Sequence, residues 1–182
     1  MYLGMVYAML CIGILGFTQS NIHKSYFFFM LKIFKNSSLV ISYQEYKYLD
    51  SRTNKEYIRY SFWTWALPII TEFYNLFYLN KVKIVPQDLS LLTPLALAHW
   101  IMQDGSFSSS WGIYLCTDAF LPNDTNRLAN FLSTKYNFKC TTPKAPGKTG
   151  ALRIYISATS LELLRTLVQP YMEASMIYKL GL

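Results

Sequence analysis

Of the 10 acidic residues in this 182-residue chain, Asp104 is the one whose position asks for an explanation. It closes the run LTPLALAHWIMQDG at 92–105, where Thr93 suits a helix N-cap, Pro94 the first helical position and Gly105 the residue past the end. A carboxylate in a last helical turn opposes the helix dipole, at a cost of roughly 0.3–1 kcal/mol. Two readings follow. Gln-Asp-Gly is a plain helix stop with Asp104 in water, or Asp104 is a ligand for a divalent cation, whose charge reverses the local penalty.

A second pattern concerns anions. In the run 152–157, Leu152, Ile154 and Ile156 alternate with Arg153, Tyr155 and Ser157, and in 59–63 Tyr60 and Phe62 alternate with Arg59, Ser61 and Trp63. Period-2 alternation predicts strands with one apolar face and one Arg/Tyr/Ser face. Such a face is either solvated or offered to base edges and phosphates. Arg127, Lys135, Lys139, Lys144, Lys148 and Arg153 occur with no acid between Asp124 and Glu162, which favours a phosphate backbone.

Other chemistries lack their residues. Cys11, Cys116 and Cys140 form no closely spaced pair, and His23 and His99 are too far apart in sequence for a helical zinc motif. His99 falls inside an apolar helix and reads as a packing residue. Ser106 to Ser110 have no His/Asp set for acyl transfer, and no glycine-rich phosphate loop occurs. The composition agrees: 52% apolar, 15% charged and a net charge of +7 argue for a filled core and an anionic partner, nucleic acid or an acidic membrane.

The elements that must position these residues can be read from punctuation and period. A helix is predicted over 23–35 from Phe27, Met30, Leu31 and Phe34. Residues 36–55 read as loop or hairpin tip, 59–65 as a strand, and a second helix starts at Pro68. After the 94–104 helix, SFSSS reads as loop, 111–120 as a strand, Asn123 or Asp124 as the cap of a helix, and KAPGKTG (144–150) as a basic loop. Ser160 caps the helix LELLRTLV. Residues 2–17 carry no charge and read as a buried core helix or a short membrane anchor. Two halves overlay, with Gln19 against Asp118 and Arg59 against Arg153, as a diverged duplication.

LTPLALAHWIMQDGS, followed by GIYLCTDAF, LRIYI and PYMEASMIYKL, resembles the second half of a LAGLIDADG homing endonuclease of organellar intron type. TQSNIHKSYF, FWTWALPIITEFYNLFY and KVKIVP resemble that family's first repeat. The resemblance implies an α+β fold of two pseudo-symmetric αββαββα-type halves with saddle-shaped antiparallel sheets in a DNA major groove. It implies that Asp104 binds magnesium or another divalent ion, with Gly105 beside it, and that Lys81 or Lys83 stands near the hydrolytic water. Gln19, Arg59, Ser61, Asp118, Lys144, Lys148, Arg153 and Tyr155 become the expected nucleic-acid contacts.

The first half departs from that pattern, because no acid precedes Glu45 and the first signature helix has no counterpart. Residues 2–17 instead resemble a transmembrane piece of cytochrome c oxidase subunit 1. The expected organisation is an exon-like segment 1–17, an incomplete first repeat 18–90 and a second repeat 91–182. It implies coding in a mitochondrial intron and a matrix protein with a membrane contact through 2–17. The readings are a DNA endonuclease that nicks or dimerises, an RNA-binding intron maturase, an inactive remnant, or a membrane-anchored structural protein.

Overall fold

The computed structural model describes residues 9–11, 13–40 and 42–182. Among these, the chain forms two compact units that divide between Tyr74 and Asn75.

The N-terminal unit is built from β1 (Met9–Cys11), β2 (Ile14–Ser20), α1 (Lys24–Asn36), β3 (Gln44–Asp50) and β4 (Lys55–Trp63). The strands make one antiparallel sheet in the order β1-β2-β4-β3. The three- and four-residue spacing of Phe27, Met30, Leu31 and Phe34 places them on one helix stripe, and all four are buried. Leu15, Phe17, Tyr60 and Phe62 oppose them from the sheet: the Phe17 and Phe27 rings stack at 6.1 Å, Phe34 lies 5.2 Å from Phe62 and Phe27 5.5 Å from Tyr60. α1 ends in a Schellman motif, with Leu39 N–H on the Phe34 carbonyl (3.0 Å) and Ser38 N–H on that of Lys35 (2.9 Å). Ser38 takes the left-handed conformation there, at φ 56°.

Two expectations are corrected in this unit. The described part of 2–17 is strand, not helix: β1 and β2 reverse at Gly13 (φ 83°) and send Leu15 and Phe17 into the core. A run that is apolar throughout carries no period, so strand and helix could not be separated. Residues 2–8 and Ile12 lie outside the described residues, and among the described ones no helix is long and apolar enough to cross a membrane. The stretch 36–55, read as loop or hairpin tip, does hold a hairpin tip at 51–54, but it also contains β3, which pairs with β4 from Gln44↔Ser61 to Asp50↔Lys55. Six of its seven residues are exposed, so it shows no apolar alternation.

The second unit opens after α2 (Pro68–Phe77) with a hairpin of β5 (Tyr78–Leu79) and β6 (Val82–Lys83). Its two turn residues, Asn80 and Lys81, both have positive φ, as a primed two-residue turn requires. There follow α3 (Pro94–Asp104), β7 (Gly105–Phe107), β8 (Ile113–Leu115), α4 (Pro122–Tyr136), β9 (Cys140–Thr141), β10 (Ile154–Ile156) and α5 (Leu161–Val168), then a 3-10 segment, Ala174–Leu180. The sheet order is β7-β8-β10-β9, again antiparallel. Both sheets therefore share one topology, first strand beside second, second beside fourth, fourth beside third, with α1 or α4 between the second and third strands. Thr93 caps α3 as read, its Oγ1 accepting from Ala96 N–H at 3.3 Å. Residues Ala96 to Met102 are all buried, consistent with an apolar helix that has no polar stripe.

Here the corrections concern boundaries and caps. β7 takes in Ser106 and Phe107 from the expected loop, and β8 and β10 span three residues each. α4 starts at Pro122 after Leu121, not at Asn123 or Asp124, since proline at the first helical position supplies the start. Ser160 precedes α5 without a side-chain cap; its Oγ accepts from Lys139 N–H at 2.7 Å.

Candidate active site and nucleic-acid face

Asp104 is fixed from three sides. It is the last residue of α3, and its carbonyl accepts from Cys116 N–H at 3.3 Å. Gly105 then turns straight into β7 at φ −74°, so no left-handed conformation demands glycine. Closeness does: a Cβ there would stand 2.6 Å from the Ile101 carbonyl oxygen. The side chain of Asp104 is largely buried, and its Oδ2 has no hydrogen-bond partner. Burial pushes its pKa up to about 6, while Lys83 and Lys179 pull in the opposite direction.

Those two lysines come from different elements. Lys83, in β6, is drawn down to about 8 by burial, against the pull of Asp104; its ammonium also lies 5.3 Å from the Phe120 ring centroid. Lys179, in the last 3-10 segment, is also lowered by burial, with Asp104 and Cys116 raising it. Its Nζ donates to the Gln103 carbonyl at 3.2 Å, neutralising part of the negative end of α3. Sequence reasoning offered Lys81 or Lys83. The structure puts Lys81 on the exposed hairpin turn and Lys83 with Asp104. It missed Lys179, which meets α3 across 76 residues and stands in a segment without helical period.

The donor set is sparse. Among the described residues no group of three His, Cys, Asp or Glu side chains could hold a metal. One buried carboxylate with an unused oxygen nevertheless suits magnesium, which takes one or two carboxylates and fills its shell with water and substrate phosphates. Asp104 would be this unit's ligand.

The expected nucleic-acid residues are distributed unevenly. Arg153 and Asp118 hold each other in a two-pronged bond, Nε–Oδ1 and Nη2–Oδ2 both 2.8 Å. That bond keeps the Asp118 carboxyl below its usual range and raises Arg153, and Lys148 stands 3.7 Å away. The Tyr155 hydroxyl shares a hydrogen bond with Ser110 Oγ at 2.8 Å, and its ring lies 4.8 Å from that of Tyr114. Lys144 is exposed, with a backbone bridge to Leu152. In the first sheet Arg59 is exposed, but Ser61 is 5% accessible and bonded to Thr18 Oγ1 at 2.8 Å. Gln19 pairs with Tyr60, so the register sets it on the α1-covered face, opposite Arg59 and Ser61.

The reading of six uncompensated cations is corrected for four of them, Lys148 and Arg153 both standing on Asp118. Arg127 is spent on the Val85 and Pro86 carbonyls (2.6 Å each) and on Asp124 (3.0 Å). Lys135 donates to the Leu92 carbonyl at 3.2 Å, and Arg153 is paired as described. Sequence-distant carbonyls leave no trace in a charge count.

The sequence profile of the LAGLIDADG DNA endonuclease family matches residues 12–164. The chain belongs to that family. It is 31% identical over 169 residues to the cytochrome b mRNA maturase bI2 of Debaryomyces hansenii, covering 91% of this chain and 63% of that protein. With the intron-encoded endonuclease ai4 of Dictyostelium discoideum it shares 35% identity over 130 residues, 70% of this chain and 80% of that one. Among solved structures it is similar to the homing endonuclease I-WcaI bound to its DNA recognition sequence, with a TM-score of 0.80 and 27% identity over 92% of this chain and 74% of that one. The chain spans less than two thirds of the Debaryomyces maturase, and 31% of the bI2 maturase of Saccharomyces cerevisiae, to which it is 36% identical over 132 residues. In this LAGLIDADG chain α3, with Asp104-Gly105 at its end, is the element that the resemblance identified as the second signature helix.

Proposed function

We propose that the chain is an intron-encoded DNA endonuclease of the homing type, hydrolysing phosphodiester bonds at a long target with a divalent cation. The observation that carries this is the buried, unpartnered Oδ2 of Asp104 between two partly buried lysines. Asp104 would hold the cation, with Gly105 keeping the strand exit close enough to bury it. A bound magnesium would polarise the phosphate and activate water. Lys83, with a pKa of about 8, would face the scissile phosphate or the attacking water and can hold or release a proton near neutral pH. Lys179 would position Asp104 by tying down the end of α3. Tyr155, Lys144 and Lys148 would approach the duplex from the second sheet and its loop, and Arg59 from the first.

Among the described residues Asp104 is the one buried carboxylate with an unpartnered oxygen; nicking, or pairing as a homodimer to supply a second, belongs to the same reading. Coding in a mitochondrial intron is supported by the cytochrome b maturase relatives, and a matrix location belongs to the same reading; of the 2–17 stretch, β2 spends Leu15 and Phe17 on the core and not on a membrane. The test is a supercoiled plasmid bearing the intronless oxidase subunit 1 exon junction, incubated with the chain and magnesium beside Asp104→Asn. Nicked or linear product from the unaltered chain alone is expected; product from both, or from neither, overturns the reading.

A second reading, an RNA-binding intron maturase, is favoured by the 91% coverage of this chain in its match to the Debaryomyces maturase. It needs the basic surface but not Asp104. Splicing assistance that survives Asp104→Asn is its signature.

A further inference from the structure

The segment 173–181 runs beside the last turn of α3 and is fixed along its length. Its start is pinned by Glu173, whose backbone N–H donates to Met102 Sδ at 3.3 Å and whose carboxylate accepts from Ser175 N–H at 2.9 Å. Its middle is held by apolar burial, with Met176 and Leu180 closed to solvent. Its end depends on α5. Arg165 donates from Nε and Nη2 to the Leu180 carbonyl, at 3.0 and 2.8 Å, and from Nη2 to that of Gly181 at 3.1 Å. Glu162, one turn earlier, holds Nη1 at 2.5 Å. Gly181 then turns at φ 71° against the Phe107 ring of β7, where a Cβ would stand 2.4 Å away. The last carbonyls of a helical segment have no partner within it, and a planar fork can take two of them at once. With its side chain 14% exposed, Arg165 makes these bonds largely out of water.

We propose that Arg165 is a positioning residue for the Asp104 site, holding the end of this segment so that the Lys179 ammonium stays on α3; the proposal rests on the endonuclease reading. Lys179 immediately precedes the two residues whose carbonyls Arg165 takes, and its Nζ donates to the Gln103 carbonyl at 3.2 Å. A lysine on an unpinned segment has both backbone and side-chain freedom to lose before it can stand in one place. Pinning the next two carbonyls removes the backbone part of that cost. The guanidinium also fills two acceptors, one and two residues from Lys179, that would otherwise compete with α3 for the ammonium. Misplacing a group by about an ångström at a reacting centre costs rate even where the fold is intact. Met176 and Leu180 keep the segment on the core without Arg165, so losing the guanidinium frees the end and leaves the fold.

Two readouts on the full chain test this. In the metal-free chain, acetylation of lysine amines is followed by mass spectrometry, with exposed Lys144 as the internal reference. Arg165→Gln is expected to raise the labelling rate of Lys179 several-fold relative to Lys144. Arg165→Lys, which keeps the charge but not the fork, is expected to raise it less. In the plasmid assay with magnesium, Arg165→Gln is expected to lower kcat about tenfold or more at unchanged KM. Lys179→Gln is expected to lose as much, and the double variant no more than Lys179→Gln alone, because one residue acts through the other. Unchanged Lys179 labelling in Arg165→Gln overturns the proposal whatever the cleavage shows, and so does unchanged cleavage. A double variant that loses the product of the two single losses also overturns it, since a residue that only stabilises the fold gives that result. If the unaltered chain does not cleave, the endonuclease reading falls and takes the role in the reaction with it, while the labelling still decides whether Arg165 sets Lys179.

Discussion

At the scale of single residues, Asp104 and His99 form an opposed pair of titrations on one helix. Burial raises Asp104 from 3.8 to about 6, so between those values the folded chain binds more protons than the unfolded one and this group's contribution to stability falls as pH rises. Burial lowers His99 from 6.5 to about 4, so over nearly the same range the unfolded chain binds more protons and stability rises with pH. For the metal-free chain the two slopes nearly cancel from pH 4 to 6.5. Asp104→Asn removes one of them. The variant is expected to lose on the order of 2–3 kcal/mol on acidification across that window, where the unaltered chain changes little, as urea titrations in a chelator would read. Magnesium at neutral pH is expected to raise the Tm of the unaltered chain and not of the variant, since a ligand stabilises only the state that binds it. Asp104 was legible in the sequence because a carboxylate at a helix C-terminus contradicts local electrostatics. Lys179 was not, because nothing in a 3-10 segment near the chain's end points to a helix so far back in sequence.

At the scale of elements, the helices were legible and the thin strands were not. α1, α2 and α3 announced themselves through apolar stripes, a proline start and a capping threonine, all signals carried by adjacent residues. β3 has no buried face and so no alternation to read, and β1 with the first four residues of β2 lay in an uncharged, apolar run that marks no period. The end of α1 shows what such local reading leaves out. Its Schellman motif places Ser38 at φ 56°, where glycine is normally used and a side chain is strained. Ser38→Gly is expected to stabilise the chain by about 0.5–1 kcal/mol, read as a higher urea midpoint with unchanged slope. Phe27→Ala, which empties the centre of the ring cluster under α1, is expected to cost about 3–5 kcal/mol.

At the scale of the whole molecule, one sheet order occurs twice, but the two copies spend their polar faces differently. The first leaves rings open around Arg59. The second closes Arg153 on Asp118 and lays Tyr155 on Tyr114. The duplication was visible as a repeated strand-then-helix phase, yet the division of labour was not, because it depends on which charges find partners in three dimensions. That gives the net charge of +7 a structure of its own. Lys144 and Lys148 are exposed on the basic loop, Lys148 with Asp118 3.7 Å away, whereas Arg127 is absorbed by the carbonyls of Val85 and Pro86. A cation that meets a phosphate releases a counterion, and one bonded inside the fold does not. Lys144→Gln and Lys148→Gln are therefore each expected to weaken binding to any duplex sequence and to reduce the slope of log K against log salt by about one. Arg127→Gln is expected to leave that slope unchanged and to lower stability instead, by roughly 1–3 kcal/mol for the carbonyls it abandons. Salt titrations and urea curves on the same three variants separate the two kinds of cation. A slope that drops for Arg127→Gln as well would mean that the 85–87 segment opens when nucleic acid binds.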